Sequence, residues 1–185
     1  MEIIKNYRDL LEGVDGKEKS ARRAALLAVA EGIRAVQPKN LFEHKVARKG
    51  DSLRLGDREL NLGKFSEILV LGAGKASVGM YQALLPLVED KLAGGVLIVP
   101  HGEEKKVQRG KVEFVGAGHP IPDEDGEKGA QRILEIARSA RMSSLVICLI
   151  SGGGSALAPF PAEGLTLKDK ADVTNLLLRS GANIE

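Results

Sequence analysis

Residues 68–88 read Ile-Leu-Val-Leu-Gly-Ala-Gly-Lys-Ala-Ser-Val-Gly-Met-Tyr-Gln-Ala-Leu-Leu-Pro-Leu-Val. The first four form a wholly apolar run, Ile68 to Leu71, that stops at Gly72. From Lys75 to Val88 the spacing changes, and Ala76, Met80, Ala83, Leu84 and Leu87 fall on one side of a helical period. A strand covered on both faces and feeding directly into a helix is the reading these two patterns require.

The same alternation extends outward. Val96 to Val99, Val112 to Val115 and Leu145 to Ile150 are further short apolar runs, read as buried strands. Between the last two, Asp123 is placed to cap a helix whose inner face is Ala130, Ile133, Leu134, Ala137 and Ala140. Strands alternating with helices predict an α/β fold, a three-layer α/β/α sandwich with a mostly parallel Rossmann-like sheet. Upstream, the first 40 residues read as helix, with Ala21, Ala25, Ala28, Val29, Ile33 and Val36 at three- and four-residue spacings. Asp15 and Glu18 suggest a capping box at its start and Pro38 its stop. Leu53 and Leu55 are separated from Leu60 and Leu62 by Gly56-Asp57, which predicts a small β-hairpin. The expected organisation is an N-terminal helix and hairpin appendage, residues 1–63, packed on a Rossmann-like domain at 64–185. Lys168 to Arg179 reads as a last helix stopped at Ser180-Gly181, after which Ala182-Asn183-Ile184-Glu185 begins no new element. That end reads as a cut, so the α/β domain is expected to be truncated there.

Composition narrows the function. The 185 residues carry 27 Lys and Arg against 25 Asp and Glu, a formal net charge of +2, with the two signs interspersed. Neither a basic stripe nor the aromatic residues that stack bases are in evidence, which argues against a nucleic-acid partner. The one cysteine, Cys148, excludes an intramolecular disulfide and a Cys-rich zinc site and favours a reducing compartment. No apolar run approaches the ~20 residues that span a bilayer, and MEIIKNYRDL is too charged for a signal peptide. A soluble, cytoplasmic protein with no membrane partner is expected.

Three loops fall where predicted strands end. In Gly72-Ala73-Gly74-Lys75, glycines let backbone amides approach an anion at a helix start, and Lys75 adds positive charge. A Walker loop would need Gly at Leu69 and Ser or Thr at Ala76, and the dinucleotide fingerprint would need Gly or Ala at Ser77. A tight strand-to-helix turn with a solvated lysine is the alternative. In Ser151-Gly152-Gly153-Gly154-Ser155, three glycines each cost on the order of 0.5–1 kcal/mol relative to Ala, more freedom than one turn needs. A cradle for phosphate or carboxylate oxygens explains them better than a flexible linker does. In Gly118-His119-Pro120-Ile121-Pro122-Asp123 the prolines stiffen the backbone around His119 and Asp123. His119 fits a general base, an oxyanion contact or a structural histidine, and Asp123 fits an orienting partner for it or a helix cap. His44 and His101 read as ordinary surface residues, and no transition-metal site is expected. Gly153-Gly154-Ser155-Ala156-Leu157 lacks the last glycine of a nucleophile elbow, which weighs against a serine hydrolase.

LVLGAGKAS, EFVGAGHPIPDEDGEKGAQRILE and LISGGGSALAPFPAEGLTLKDKADVTNLLLRSGANIE, taken together and in order from about Ala24 to Glu185, resemble the N-terminal part of the glycerate 2-kinase family, the MOFRL-type glycerate kinases. The resemblance implies transfer of the ATP γ-phosphate to the 2-hydroxyl of D-glycerate, with Mg²⁺. It implies catalytic roles for Lys75 and His119, and substrate or phosphate binding by Gly72, Gly74, Ser151, Gly152, Gly153, Gly154, Ser155 and Asp123, with no metal ligand among them. It further implies a cleft completed by a C-terminal domain of the same polypeptide that this sequence lacks, so that the part alone is expected to fold without its activity being assured. A homodimer stays open. Two other readings remain, an NAD(P)-dependent hydroxypyruvate or tartronate reductase and a non-catalytic anion-binding module.

Overall fold

The computed structural model describes residues 3–107 and 110–181. The expected cut at Ala182–Glu185 lies outside them. Among the described residues, four strands form one parallel sheet: β4 Glu67–Ala73, β5 Leu92–Pro100, β6 Val112–Ala117 and β7 Ser144–Ile150, in the order β6-β5-β4-β7. Three antiparallel strands upstream, β1 Val46–Lys49, β2 Ser52–Leu55 and β3 Arg58–Asn61, form a second sheet. The helices are α1 Gly16–Ala35, α2 Pro38–Lys45, α3 Ser77–Val88, α4 Glu124–Ser139, a single turn α5 Gly154–Leu157, and α6 Leu167–Ser180.

The three layers follow from the two-residue period of the strands. On β5, Leu97 packs with Tyr81, Leu84 and Val88 of α3, whereas its neighbours Val96 and Ile98 pack with Ala130 of α4 and Leu157 of α5. The strand is therefore apolar on both faces because a helix covers each. Tyr81 also meets Phe114 edge to face, ring centroids 5.3 Å apart. The small sheet joins the α3 side of the core through Leu53 of β2 and through Leu62, in the 3-10 turn directly after β3, both fully buried. Lys91 Nζ donates to the carbonyls of Leu62 and Phe65 at 2.8 and 3.0 Å. Arg48 reaches Asp90 through two hydrogen bonds, one of 2.8 Å, and the Leu87 carbonyl at 2.8 Å.

Several expectations change at the chain's ends. The first 40 residues are not one helix: a short 3-10 turn, Asp9–Leu11, precedes α1, with positive φ at Gly13 between them and at Gly16, where α1 begins. Pro38 starts α2 instead of simply stopping α1, because a proline at the first helical position gives up an amide that has no partner there anyway. The Asp15–Glu18 box does not form; Asp15 caps nothing with its side chain, and Glu18 pairs with Arg22. The hairpin is present, with a third strand added by β1. On α4 the inward residues are Gly126, Gly129 and Ala130, with Ile133 and Ile136 packed behind them, while Ala137 faces out. Among the described residues β7 lies at the edge of the sheet and is not buried on both faces, and Cys148 and Ile150 are exposed. Its run is apolar all along, so sequence alone gives it the same appearance as the interior strands. Among the described residues no helix is long and apolar enough to cross a membrane.

Two measurements test this packing. Leu97→Ala, at the buried centre of the sheet, is expected to destabilise the protein by about 2–5 kcal/mol in urea unfolding. The Asp90 carboxyl is held at about 2 against an ordinary 3.8, first by its hydrogen bond from Arg48. A depressed folded pKa means stability present above the unfolded value and lost as pH falls through the folded one. The stability difference between the native protein and Asp90→Asn is therefore expected to be constant near neutrality and to shrink between pH 3.8 and about 2.

Candidate functional site

Parallel register decides where the loops meet. Ala73 lies opposite Ile98 on one side and Ile150 on the other, and Pro100 lies opposite Ala117. The strands thus reach their carboxyl ends at one edge of the sheet, and the loops after β4, β5, β6 and β7 emerge together there. In open α/β sheets this edge is where ligands collect.

The loops after β4 and β7 are bonded to one another. The Gly74 amide donates to the Ile98 carbonyl at 3.0 Å, Ser151 N donates to Ala73 O at 3.2 Å, and Lys75 N donates to Gly152 O at 3.0 Å. Ser151 Oγ accepts the Ala76 amide at 3.0 Å, just ahead of α3. This bond uses a lone pair of the hydroxyl to fix the loop and leaves its O–H to donate. The two backbones approach so closely that a Cβ at Gly74, where φ is +149°, would overlap the Ser151 side chain, and one at Gly72 would overlap the Leu149 carbonyl. Both glycines are thus explained by loop and strand contact.

The third loop reaches the same place. A Cβ on Gly153 would lie 2.9 Å from Cδ2 and 3.0 Å from Nε2 of His119, and 3.4 Å from Cγ of Lys75; one on Gly152 would lie 3.9 Å from Cε of Lys75. Lys75 and His119, 44 positions apart in sequence, therefore flank the triple glycine. Gly153 takes φ +94° and begins α5, which leaves Ser155 exposed in its first turn. Among the described residues the amides of Gly152, Gly153 and Gly154 have no protein acceptor. Lys75 and His119 are exposed and, among the described residues, carry no side-chain hydrogen bond or ion pair.

Asp123 stands apart from that group. Its Oδ1 accepts the Gly126 amide at 3.0 Å and caps α4, and its Oδ2 lies 2.7 Å from His101 Nε2. Burial raises the pKa of this carboxyl, but the amides of Gly118 and Gly126 and the His101 side chain outweigh it, so the net direction is down. The partner of Asp123 is His101 and not His119, so His101 is no ordinary surface residue. The available signal was only its place directly after the β5 run. His101, Asp123 and Asp125 bring one nitrogen and two carboxylate oxygens within 4.8 Å of one another, the one such group among the described residues. Asp123 and Asp125 also lie at the amino end of α4, where the helix dipole opposes a cation.

A family model described as a domain of unknown function, DUF4147, matches residues 24–185. The chain is 36% identical over 175 residues to a glycerate kinase of Danio rerio, covering 88% of this chain and 34% of the relative. It is 37% identical over 163 residues to a glycerate 2-kinase of Pyrococcus horikoshii, with 88% and 36% covered. A protein of Agrobacterium vitis named putative hydroxypyruvate reductase is 43% identical over 116 residues, 63% of this chain and 30% of that one. A crystal structure of a Pyrococcus horikoshii OT3 protein superposes with a TM-score of 0.75 at 34% identity, over 89% of this chain and 36% of that one. The chain thus spans about a third of the length of the relatives it matches.

Ser151→Ala is expected to lower stability by about 1–3 kcal/mol, read by chemical unfolding, because it leaves the Ala76 amide without its acceptor. Gly153→Ala strains a left-handed position and crowds His119, so it is expected to displace the His119 ring resonances in a proton-carbon spectrum as well as lower the melting temperature.

Proposed function

The chain belongs to the DUF4147 family, the N-terminal domain of glycerate kinases, and we propose that the protein it represents transfers the γ-phosphoryl group of ATP to the 2-hydroxyl of D-glycerate. The observation that carries this reading is the meeting of Lys75 and His119 on the amides of Gly152–Gly154 at the carboxyl edge of the sheet. Phosphoryl transfer asks little covalent chemistry of a protein and much positive potential around the moving group. Lys75 supplies an ammonium and the triple-glycine loop supplies amides, a combination that suits phosphate oxygens. In the proposed step the glycerate 2-oxygen forms a bond to the γ-phosphorus and the bond from that phosphorus to the bridging oxygen of ADP breaks. His119 Nε2 or Nδ1 accepts the hydroxyl proton. Gly72, Gly74 and Ser151 act by holding the β4 and β7 loops together, Ser155 lies in the first turn of α5 within reach of a bound anion, and Asp123 fixes the neighbouring loop.

Mg²⁺ does not fit the residues around Lys75, which offer amides, hydroxyls and an ammonium but no carboxylate. The clustered carboxylates of Asp123 and Asp125 share their group with a histidine nitrogen, a set less suited to a cation that favours oxygen ligands. No step is assigned to a metal held by these residues. Because the chain spans about a third of its relatives' length, the activity is proposed for the whole protein, with residues 1–63 an appendage on the 64–185 domain and further site residues contributed by the rest. A cytoplasmic location accords with the single unpaired cysteine.

The reductase reading has one observation in its favour, the name carried by the Agrobacterium vitis relative. Glycerate-dependent ADP formation by the whole protein, with no change in nicotinamide absorbance, is the expected result; nicotinamide oxidation by hydroxypyruvate without ADP formation would replace the kinase reading. Lys75→Ala is expected to reduce kcat/KM on the order of a hundredfold or more. Calorimetry of the 185-residue chain with ATP separates a bare anion-binding module from a kinase domain: equal affinity in the native and Lys75→Ala proteins would remove Lys75 from the site.

A further inference from the structure

The structure places a second histidine behind the first. His101 follows β5, and its backbone amide donates to the Ala117 carbonyl at 3.1 Å, tying the end of β5 to the end of β6 where the His119 loop begins. Its Nε2 lies 2.7 Å from Asp123 Oδ2, at the far end of that loop. The Asp123 carboxylate also packs against Gly118, directly before His119, where a Cβ would lie 2.9 Å from Oδ2, and it takes the amide of Gly126 in α4. One carboxylate therefore touches both ends of the loop, packed against Gly118 and bonded to Gly126, and the His101 ring holds that carboxylate from the end of the next strand. Gly118 has no room for a side chain within this clamp, since a Cβ there would lie 2.5 Å from the Ile121 carbonyl and 2.9 Å from Asp123 Oδ2. On its other side the ring lies beside Gly116, where a Cβ would be 3.2 Å from His101 Nδ1 and 2.6 Å from the Glu104 carboxylate, and Glu104 in turn accepts the Gly102 amide at 2.6 Å. A side chain at Gly116 would fill that space.

We propose that His101 is a positioning residue for the phosphoryl-transfer site, holding Asp123 so that the loop 118–123 keeps the His119 imidazole against Gly153 and beside Lys75. The proposal rests on the reading of His119 as a site residue. His101 itself touches no reacting atom. Its effect is transmitted through the loop, where a displacement on the order of 1 Å in a catalytic group is enough to lower a rate substantially.

Two measurements test it, and the first does not depend on activity. In the 185-residue chain, histidine ring resonances are recorded for the native protein, His101→Ala and His101→Gln, with His44 as an internal reference. His101→Ala is expected to shift the His119 resonances and leave those of His44 in place, and His101→Gln, whose amide still donates to Asp123, is expected to restore them. Unchanged His119 resonances in His101→Ala overturn the proposal. So does a shift that His101→Gln fails to reverse while the fold persists. The second is a double-mutant cycle in the whole protein. His101→Ala is expected to reduce kcat/KM about tenfold to a hundredfold in the native background and less than about twofold in His119→Ala, because residues acting through one another are not additive. Equal losses in both backgrounds would show that His101 acts on something other than His119. If the whole protein forms no ADP from glycerate, the kinase reading fails while the resonance test of the clamp still stands.

Discussion

The parallel hydrogen-bonded register of β4 with its two neighbours is the constraint on which the rest depends. Ladders on both sides bring Ala73 level with Ile98 and Ile150, and that common level makes four separate loops into one edge. Sheet pairing of this kind buries the strands on both faces, so it needs a helix layer above and below. α3 supplies one layer, with Tyr81, Leu84 and Val88, and α4 with α5 supplies the other through Ala130 and Leu157. A slip of one residue would turn Leu97 toward α4 and Val96 toward α3, exchanging every side chain between two differently shaped cores.

Within that frame the glycines divide by what they do. Gly72 and Gly74 are needed because two backbones pass too closely for a Cβ, and the hydroxyl of Ser151 completes the contact by accepting the Ala76 amide. Gly153 is needed for a different reason: it takes a left-handed conformation with the His119 ring against it. Gly152 and Gly154, with ordinary φ and little crowding, keep their amides without protein acceptors. A loop that looks uniform as Ser-Gly-Gly-Gly-Ser is thus part brace and part open donor surface. The open part lies next to the exposed Lys75 and His119.

The outer margins of the molecule are less self-contained. Ile150 on edge strand β7 is 72% exposed, and α6 leaves Val173, Leu176, Leu177 and Leu178 more than half exposed. Apolar residues at that density, on β7 and on α6, are not what an isolated surface favours. The α6 start, by contrast, is locally complete: Thr166 and Asp169 form a reciprocal capping box, and Gly181 closes the helix in the left-handed region.

Sequence by itself determined the element types of the α/β part, because unbroken apolar runs and 3.6-residue periods are local signals that one chain displays without its partners. Ile68–Leu71, Val96–Val99 and the cap at Asp123 were all legible this way. It also brought the three loops forward as candidates, since each glycine cluster follows an apolar run. Only tertiary structure decided that β7 is an edge, that Pro38 begins a helix, and that Asp123 belongs to His101 and not to His119. Each of those outcomes turns on which strand or helix lies alongside, a property of pairing between residues far apart in the chain. His101 and Asp123 are 22 positions apart and meet because β5 and β6 end at the same level, which no local pattern in the sequence records.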